Sequence, residues 1–295
     1  VIPAFVNDAA GTATAAKHAL EEVGGFEIHA APPEQLESSM RELMASAPPR
    51  IAIVGGDGSV GTAARVVCGT ETELAVLPGG TLNHFARDHG IPTDLSKAAV
   101  IAAGGASTRA DVAYVGDRLF LNTSSVGAYV SYVRLRDRME KYFGYSIASL
   151  IAAVRLFMSM RPVDLELDVA GGRRRYSTPV VFVGVGERDT AAPTLGSRVP
   201  HGRRCLHVIV VRERRAARLL VVALDAATRG LEKLARTPEL DSFMVDSCTI
   251  RMRGRRHHVA VDGEIIAAGA TLDYRLAKDA LKIVVPEDGS SEQGE

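Results

Sequence analysis

The chain is 295 residues long, 46% hydrophobic, with 35 Lys/Arg against 35 Asp/Glu, which describes a globular protein of about two domains with a sizeable core. Its three cysteines, Cys68, Cys205 and Cys248, are widely spaced, which argues against a disulfide scaffold or a thiolate metal site and fits a reducing cytosol. No uncharged apolar run approaches the roughly 20 residues that span a bilayer and no secretory leader is evident, so a cytoplasmic protein is expected.

The neutral total hides a division. Residues 1–100 hold 6 Lys/Arg and 12 Asp/Glu, whereas the remainder holds 29 and 23. The basic part is mostly arginine, which suits phosphates or an anionic membrane and equally suits a solvated face.

Ile2 to Val6 predicts a first strand. Asn7-Asp8-Ala9-Ala10-Gly11-Thr12 follows as a turn whose residue types suit a phosphate-facing loop, leading into an Ala-rich helix through about Glu22. Phe26 to Ala31 predicts a second strand, and Leu36, Met40, Leu43 and Met44 fall at helical spacing within 33–47. This β-α-β-α alternation predicts a doubly wound parallel sheet.

Ile51-Ala52-Ile53-Val54 then runs straight into Gly55-Gly56-Asp57-Gly58-Ser59-Val60-Gly61, which reads as a buried strand, a tight turn and a helix start. Glycines allow a ligand close to the main chain and leave N–H groups around an anion-sized hollow. An ordinary strand-to-helix turn needs only one or two. Glu73 to Leu77 predicts a further strand that ends in Pro78-Gly79-Gly80-Thr81-Leu82-Asn83-His84. Glycines and small polar side chains again stand at a strand's carboxyl end, where open α/β sheets bind ligands. Thr93 or Asp94 caps a short helix to about Ala103, stopped by Gly104 and Gly105.

From Ala110 the pattern changes. Residues 113–122 predict a strand, a Gly116-Asp117 hairpin turn and a strand. Helices are expected from Tyr142 to Met160 and from Arg215 to Arg236. Strand-like runs recur at Asp164 to Val169, Thr178 to Val185, Leu206 to Val211, Ser247 to Met252, His257 to Val261, Thr271 to Leu276 and Leu281 to Val285. The fold class expected is therefore α/β plus β: an N-terminal doubly wound domain over 1–108, a C-terminal β-sandwich domain over 109–286, and a tail over 287–295 disordered by composition.

With GGDGSV at 55–60, PGGTLNHFARDHGIP at 78–92 and VDGE at 261–264 in that order, nearly the whole chain resembles the diacylglycerol kinase catalytic-domain family. That family includes bacterial lipid kinases, sphingosine kinases and ceramide kinases. The resemblance implies a nucleotide-binding domain of the type shared with NAD kinases, ATP and magnesium as cofactors, and a lipid hydroxyl as acceptor. By position, Asn7, Gly55, Gly56, Asp57, Gly58 and Ser59 would hold the nucleotide phosphates, and Gly80, Thr81 and Asn83 would line the facing wall. Asp57 would stand near magnesium carried by the phosphates.

Glu264 matches the family's proton acceptor. Asp262, two residues earlier, would share its face on a strand unless a turn at Gly263 breaks the alternation. Which carboxylate reaches the substrate stays open. Such a site fits phosphoryl transfer, which needs an oriented nucleophile, in-line geometry and charge stabilisation rather than covalent help.

The chain also departs from the family pattern. The first loop, Asn7 to Gly11, lacks the usual proline. Pro200 to His207 stands where bacterial members carry Asp-Gly-x-Leu-Asp, and arginines at 203 and 204 bind no cation, so no metal is expected there. Gly186 to Pro193 replaces a glycine-rich segment, which implies an altered substrate preference. His84 stands where Asp is frequent and is expected to be structural.

The leading expectation is an ATP-dependent lipid kinase working peripherally on a membrane, with Arg134, Arg136, Arg138 and Arg173 to Arg175 as head-group contacts. An NAD kinase-like enzyme shares the GGDG turn, but PGGTLNHFAR favours the lipid branch. A nucleotide-binding regulatory module without catalysis is the reading from another class. Arg251, Arg253, Arg255 and Arg256 raise nucleic-acid binding, yet aromatics are only 5% and no recognition motif accompanies them, so no nucleic acid is expected. Neither glycine loop gives GxGxxG on the first strand, which disfavours a dinucleotide oxidoreductase. A homodimer through a sandwich edge strand is a generic expectation.

Overall fold

The computed structural model describes residues 1–127, 162–189, 197–212, 240–254 and 257–287. The helices expected over 142–160 and 215–236 and the tail from 288 lie outside the described residues. The chain divides into two compact units, one of Val1–Val112 with the residues from Ala277 on, the other of Ala113–Leu276. Residues 277–286, which a linear division gives to the sandwich, pack in the first unit.

In the first unit, strands β1 (Ile2–Asn7), β2 (Phe26–Ala31), β3 (Arg50–Gly55) and β4 (Glu73–Pro78) form a parallel sheet in the order β2-β1-β3-β4, with Ala4 beside Ala52 and Ile53 beside Val76. Four or five consecutive residues are buried in β1, β3 and β4, as a parallel sheet covered on both faces requires. Helices α1 (Ala13–Val23), α2 (Pro33–Met44), α3 (Asp57–Val67) and α5 (Leu95–Gly104) supply the cover, α1 packing with α5 and α2 with α3. Their buried faces are small, Ala16, Ala19 and Leu20 on α1 and Ala98, Ala99 and Ala102 on α5.

Asp94 caps α5, its side chain accepting the Lys97 N–H at 2.9 Å. At the other end Arg50 donates to the carbonyls of Ala102 and Ala103 at 3.0 and 2.9 Å while pairing with Glu73 at 2.8 Å, which puts a cation where the helix leaves carbonyls unsatisfied. A five-residue helix, α4 (His84–Asp88), lies where the sequence suggests only a loop. The chain leaves β1 toward β2, then returns to β3 and continues to β4. The direction reverses between β1 and β3, so the carboxyl ends at Asn7 and Gly55 flank the switch point.

The second unit is a sandwich, as expected. One sheet contains β8 (Val163–Val169), β9 (Gly172–Thr178), β13 (Ser247–Met252) and the first part of β16 (Thr271–Val285). The other runs β12-β11-β10-β7-β14-β15, comprising β12 (Leu240–Val245), β11 (Leu206–Val211), β10 (Val180–Val185), β7 (Thr123–Gly127), β14 (His257–Val261) and β15 (Glu264–Ala268). Leu165, Leu167 and Ile250 from the first sheet meet Val181, Val183, Val208, Val210 and Val259 from the second in one core. The remaining strands, β5 (Ala106–Val115) and β6 (Arg118–Phe120), form the hairpin expected around Gly116-Asp117, pairing Ala113 with Phe120.

Four strands lack a simple apolar signature in the sequence. β9 carries Arg173, Arg174 and Arg175, which pair across to Glu166 and Asp168 or stack on Phe243, so charge pairing rather than apolar alternation stabilises it. β7 buries Ser124 and Ser125, and Ser124 bonds the Tyr274 hydroxyl at 3.0 Å. β15 follows the two-residue turn Asp262-Gly263, and β12 is joined to β13 through Asp246 alone, links too short to separate by composition. Conversely, the two strands expected over 271–276 and 281–285 are one strand, β16, which continues through Asp279 at a left-handed φ of 56°.

Candidate active site

In the first unit, three loops at strand carboxyl ends meet. After β1, Asn7 Oδ1 accepts the Ala9 N–H at 3.0 Å, and Asn7 Nδ2 donates to Ser59 Oγ at 3.0 Å. Thr12 at the end of that loop donates to the Gly79 carbonyl at 2.9 Å, and the Gly79 N–H donates to the Gly55 carbonyl at 2.9 Å. The loops after β1, β3 and β4 are thus tied edge to edge.

Glycine is required where they touch. A Cβ on Gly80 would stand 2.5 Å from the Gly56 Cα, and one on Gly55 would stand 2.5 Å from the Ser59 Cβ. Two main chains approach directly, and any side chain would wedge them apart.

The predicted binding side chains are largely engaged within this frame. Ser59 is buried and held by Asn7. Asn83, in a left-handed conformation at φ 49°, accepts the Gly80 N–H at 2.9 Å and donates to the Gly80 carbonyl at 2.8 Å, a conformation Asn tolerates better than most residues. Asp57 accepts the N–H groups of His84 and Phe85, both at 3.1 Å, one on each carboxylate oxygen, and so caps α4 from a distance.

What remains for a ligand is main chain. No side chain caps the first turn of α3 or of α1, so donors of two helix N-termini stand beside the switch point, an arrangement that favours anions. Gly58 and Thr81 are exposed at its edge. The glycine contacts and open donors fit a nucleotide phosphate. Each Asp57 oxygen receives one amide proton, which engages this carboxylate in the frame, and no group of three His, Cys, Asp or Glu side chains among the described residues is arranged to hold a metal. His84 is exposed, and only its backbone takes part in the frame.

In the second unit, Asp262 and Gly263 form the two-residue turn between β14 and β15, both at positive φ, 46° and 86°. Asp-Gly is the pair such hairpin turns favour. Strand alternation therefore does not govern Asp262 and Glu264: Asp262 lies within the turn, and Glu264 follows it, paired with Val261. Asp262 Oδ2 accepts the Leu121 N–H at 2.7 Å, and Oδ1 accepts those of Asn122 and Thr123 at 2.9 and 3.0 Å. Those three donors take three of the roughly four acceptor positions of the carboxylate. Glu264 is exposed and pairs with Arg118.

Beside this loop lies a network the sequence did not signal. The Arg188 N–H donates to His207 Nδ1 at 2.8 Å, which leaves the His207 proton on Nε2, facing Ser242 Oγ at 2.6 Å. Burial pulls the His207 pKa below its ordinary value, a shift opposed by nearby Glu187. Burial likewise pushes the Cys248 thiol up to about 12, so this buried cysteine is inert.

Of the arginines expected at head groups, Arg173 and Arg175 pair with Glu166, and Arg134, Arg136 and Arg138 lie outside the described residues. Arg251 pairs with Asp168 at 3.2 Å. Among the described residues no helix is long and apolar enough to cross a membrane.

The family model for the diacylglycerol kinase catalytic domain matches residues 3–115. A diacylglycerol kinase of Staphylococcus aureus (strain NCTC 8325 / PS 47) is 26% identical over 171 residues, 56% of this chain and 54% of that protein; the match spans about half the length of such curated relatives. A diacylglycerol kinase structure from Bacillus anthracis str. Sterne aligns over 96% of both chains at a TM-score of 0.69 and 17% identity. A second structure from that organism, a candidate diacylglycerol kinase, aligns over 96% of both at 0.74 and 19%. Residues 3–115 are therefore similar to the diacylglycerol kinase catalytic domain, and the chain shares the fold of those two Bacillus structures.

Proposed function

We propose that the chain is an ATP-dependent lipid kinase that transfers the γ-phosphoryl group to a hydroxyl of diacylglycerol or a related lipid. The observation that carries this reading is the main-chain cradle at the β1/β3 switch point, where facing glycines 56 and 80 keep side chains away and helix donors stay uncapped. Phosphate oxygens would take the amide protons of the α3 first turn. Thr81 and the Gly80 loop would close the opposite side.

The acceptor hydroxyl needs a base, and Glu264 is the candidate. Asp262 is committed to three amides, whereas Glu264 pairs with Arg118 and lies exposed. Arg118 would orient the carboxylate; general-base help of this kind is worth ~10²–10⁴-fold. No step here runs through a protein-held magnesium ion.

A lipid acceptor implies work at a membrane surface, with the protein peripheral to it. The test is incubation with radiolabelled ATP and a total lipid extract, followed by identification of the labelled product. A phosphorylated lipid is expected. Label transferred to NAD instead would favour the NAD kinase-like reading. Nucleotide binding with no transfer to lipid or NAD would favour a regulatory module.

A further inference from the structure

We propose that Arg188 is a positioning residue for the Asp262–Glu264 turn, acting through the peptide of Asn122; this rests on the reading of Glu264 as proton acceptor. Arg188 is only 6% exposed, and burying a guanidinium is costly unless its protons are taken up. Its Nη2 donates to the carbonyls of Val185 and Asn122 at 2.8 and 3.1 Å. Asn122 in turn gives its N–H to Asp262 Oδ1 at 2.9 Å. A single residue is thus gripped from both ends, its carbonyl by a buried cation and its N–H by the carboxylate that opens the turn.

The grip is built from several sides. The Arg188 backbone is fixed on His207. Its side-chain stem lies across Gly184, where a Cβ would meet the Arg188 Cγ at 2.7 Å and Nε at 2.9 Å, so β10 has a glycine where the guanidinium must pass. The planar fork reaches two carbonyls at once, which a lysine ammonium on a flexible stem does with less fixed geometry. Glu264 stands two residues beyond Asp262, and loosening Asn122 would let that carboxylate wander. Misplacement of a reacting group by about 1 Å can cost ~10²-fold in rate.

The experiment compares the full chain with Arg188→Met, Arg188→Lys and Arg188→Ala, using dispersed diacylglycerol and ATP, alongside thermal unfolding and amide hydrogen exchange over residues 121–123. Arg188→Met is expected to lower kcat by ~10–100-fold with the KM for ATP within ~2-fold, and to speed exchange at 121–123. Arg188→Lys should fall between, and methylguanidinium should restore part of the Arg188→Ala rate. A folded Arg188→Met with unchanged kcat and exchange would overturn the proposal. So would losses of kcat and ATP affinity that run in parallel in every variant and that methylguanidinium leaves unrelieved. The exchange readout needs no activity, so normal turnover in Glu264→Gln would remove the base reading while exchange at 121–123 still judges Arg188.

Discussion

Asp57 and Asp262 are each followed by glycine and each stand at a turn, yet they organise different things. Asp57 reaches the start of α4, 27 and 28 residues on, and fixes one wall of the main-chain cradle. Asp262 reaches back 139 to 141 residues to three consecutive amides and fixes the loop beneath its own hairpin. In both, a carboxylate that invites a chemical role serves as a backbone acceptor. The groups left over differ: main-chain donors in the first unit, the Glu264 carboxylate in the second. A motif aspartate can be indispensable because it shapes the site rather than because it touches the reaction.

The comparison breaks most readily at Asp262. Asp262→Ala orphans three amides, at about 1–3 kcal/mol for each that stays buried, so it should cost about 3 kcal/mol or more in chemical unfolding and abolish phosphoryl transfer. If Asp262→Ala unfolds like the parent, the carboxylate is not the support described.

Gly80→Ala places a methyl 2.5 Å from the Gly56 Cα. It should destabilise by about 1–3 kcal/mol and reduce ATP affinity, read by calorimetry, by ~10-fold or more while Glu264 keeps its surroundings. Asp57→Ala removes a cap shared by two N–H groups, which should cost about 1–2 kcal/mol and weaken ATP binding less than Gly80→Ala does. Weakening beyond that of Gly80→Ala would instead give Asp57 a direct part in the ligand.

The smallest effect is a pH slope. Burial lowers the folded His207 pKa below its ordinary 6.5, so the unfolded chain takes a proton first as pH falls. The stability this neutral imidazole contributes is complete above pH 6.5 and declines as pH drops from there toward the lower folded value. Unfolding followed from pH 7.5 to 5 should show a shallower decline in His207→Asn than in the parent.

Much of the first unit was legible because β1, β3 and β4 are buried on both faces and read as continuous apolar runs; the edge strand β2, Phe26–Ala31, is partly exposed, yet its ends match the sequence reading. The second unit was legible only where alternation survives, as in Leu206 to Val211 and Ser247 to Met252. β9 hid because its arginines pair across the sheet, and β7 because its buried serines look like loop. The glycine loops could be placed on sequence alone, since residue type there reports main-chain geometry. The partners of Asp57, Asn83 and Asp262 could not, because each bond depends on the register of segments brought together only by folding. Arg188 and His207 were invisible for the same reason: a charged residue in a polar stretch gives no sign that it is buried.

In the proposed reaction Glu264, and neither motif aspartate, accepts the proton. Glu264→Gln tests it most directly, with phosphoryl transfer to lipid and ATP binding measured on the same preparation. ATP affinity within ~2-fold of the parent and transfer reduced by ~10²–10⁴-fold are expected. Undiminished transfer by Glu264→Gln would contradict it.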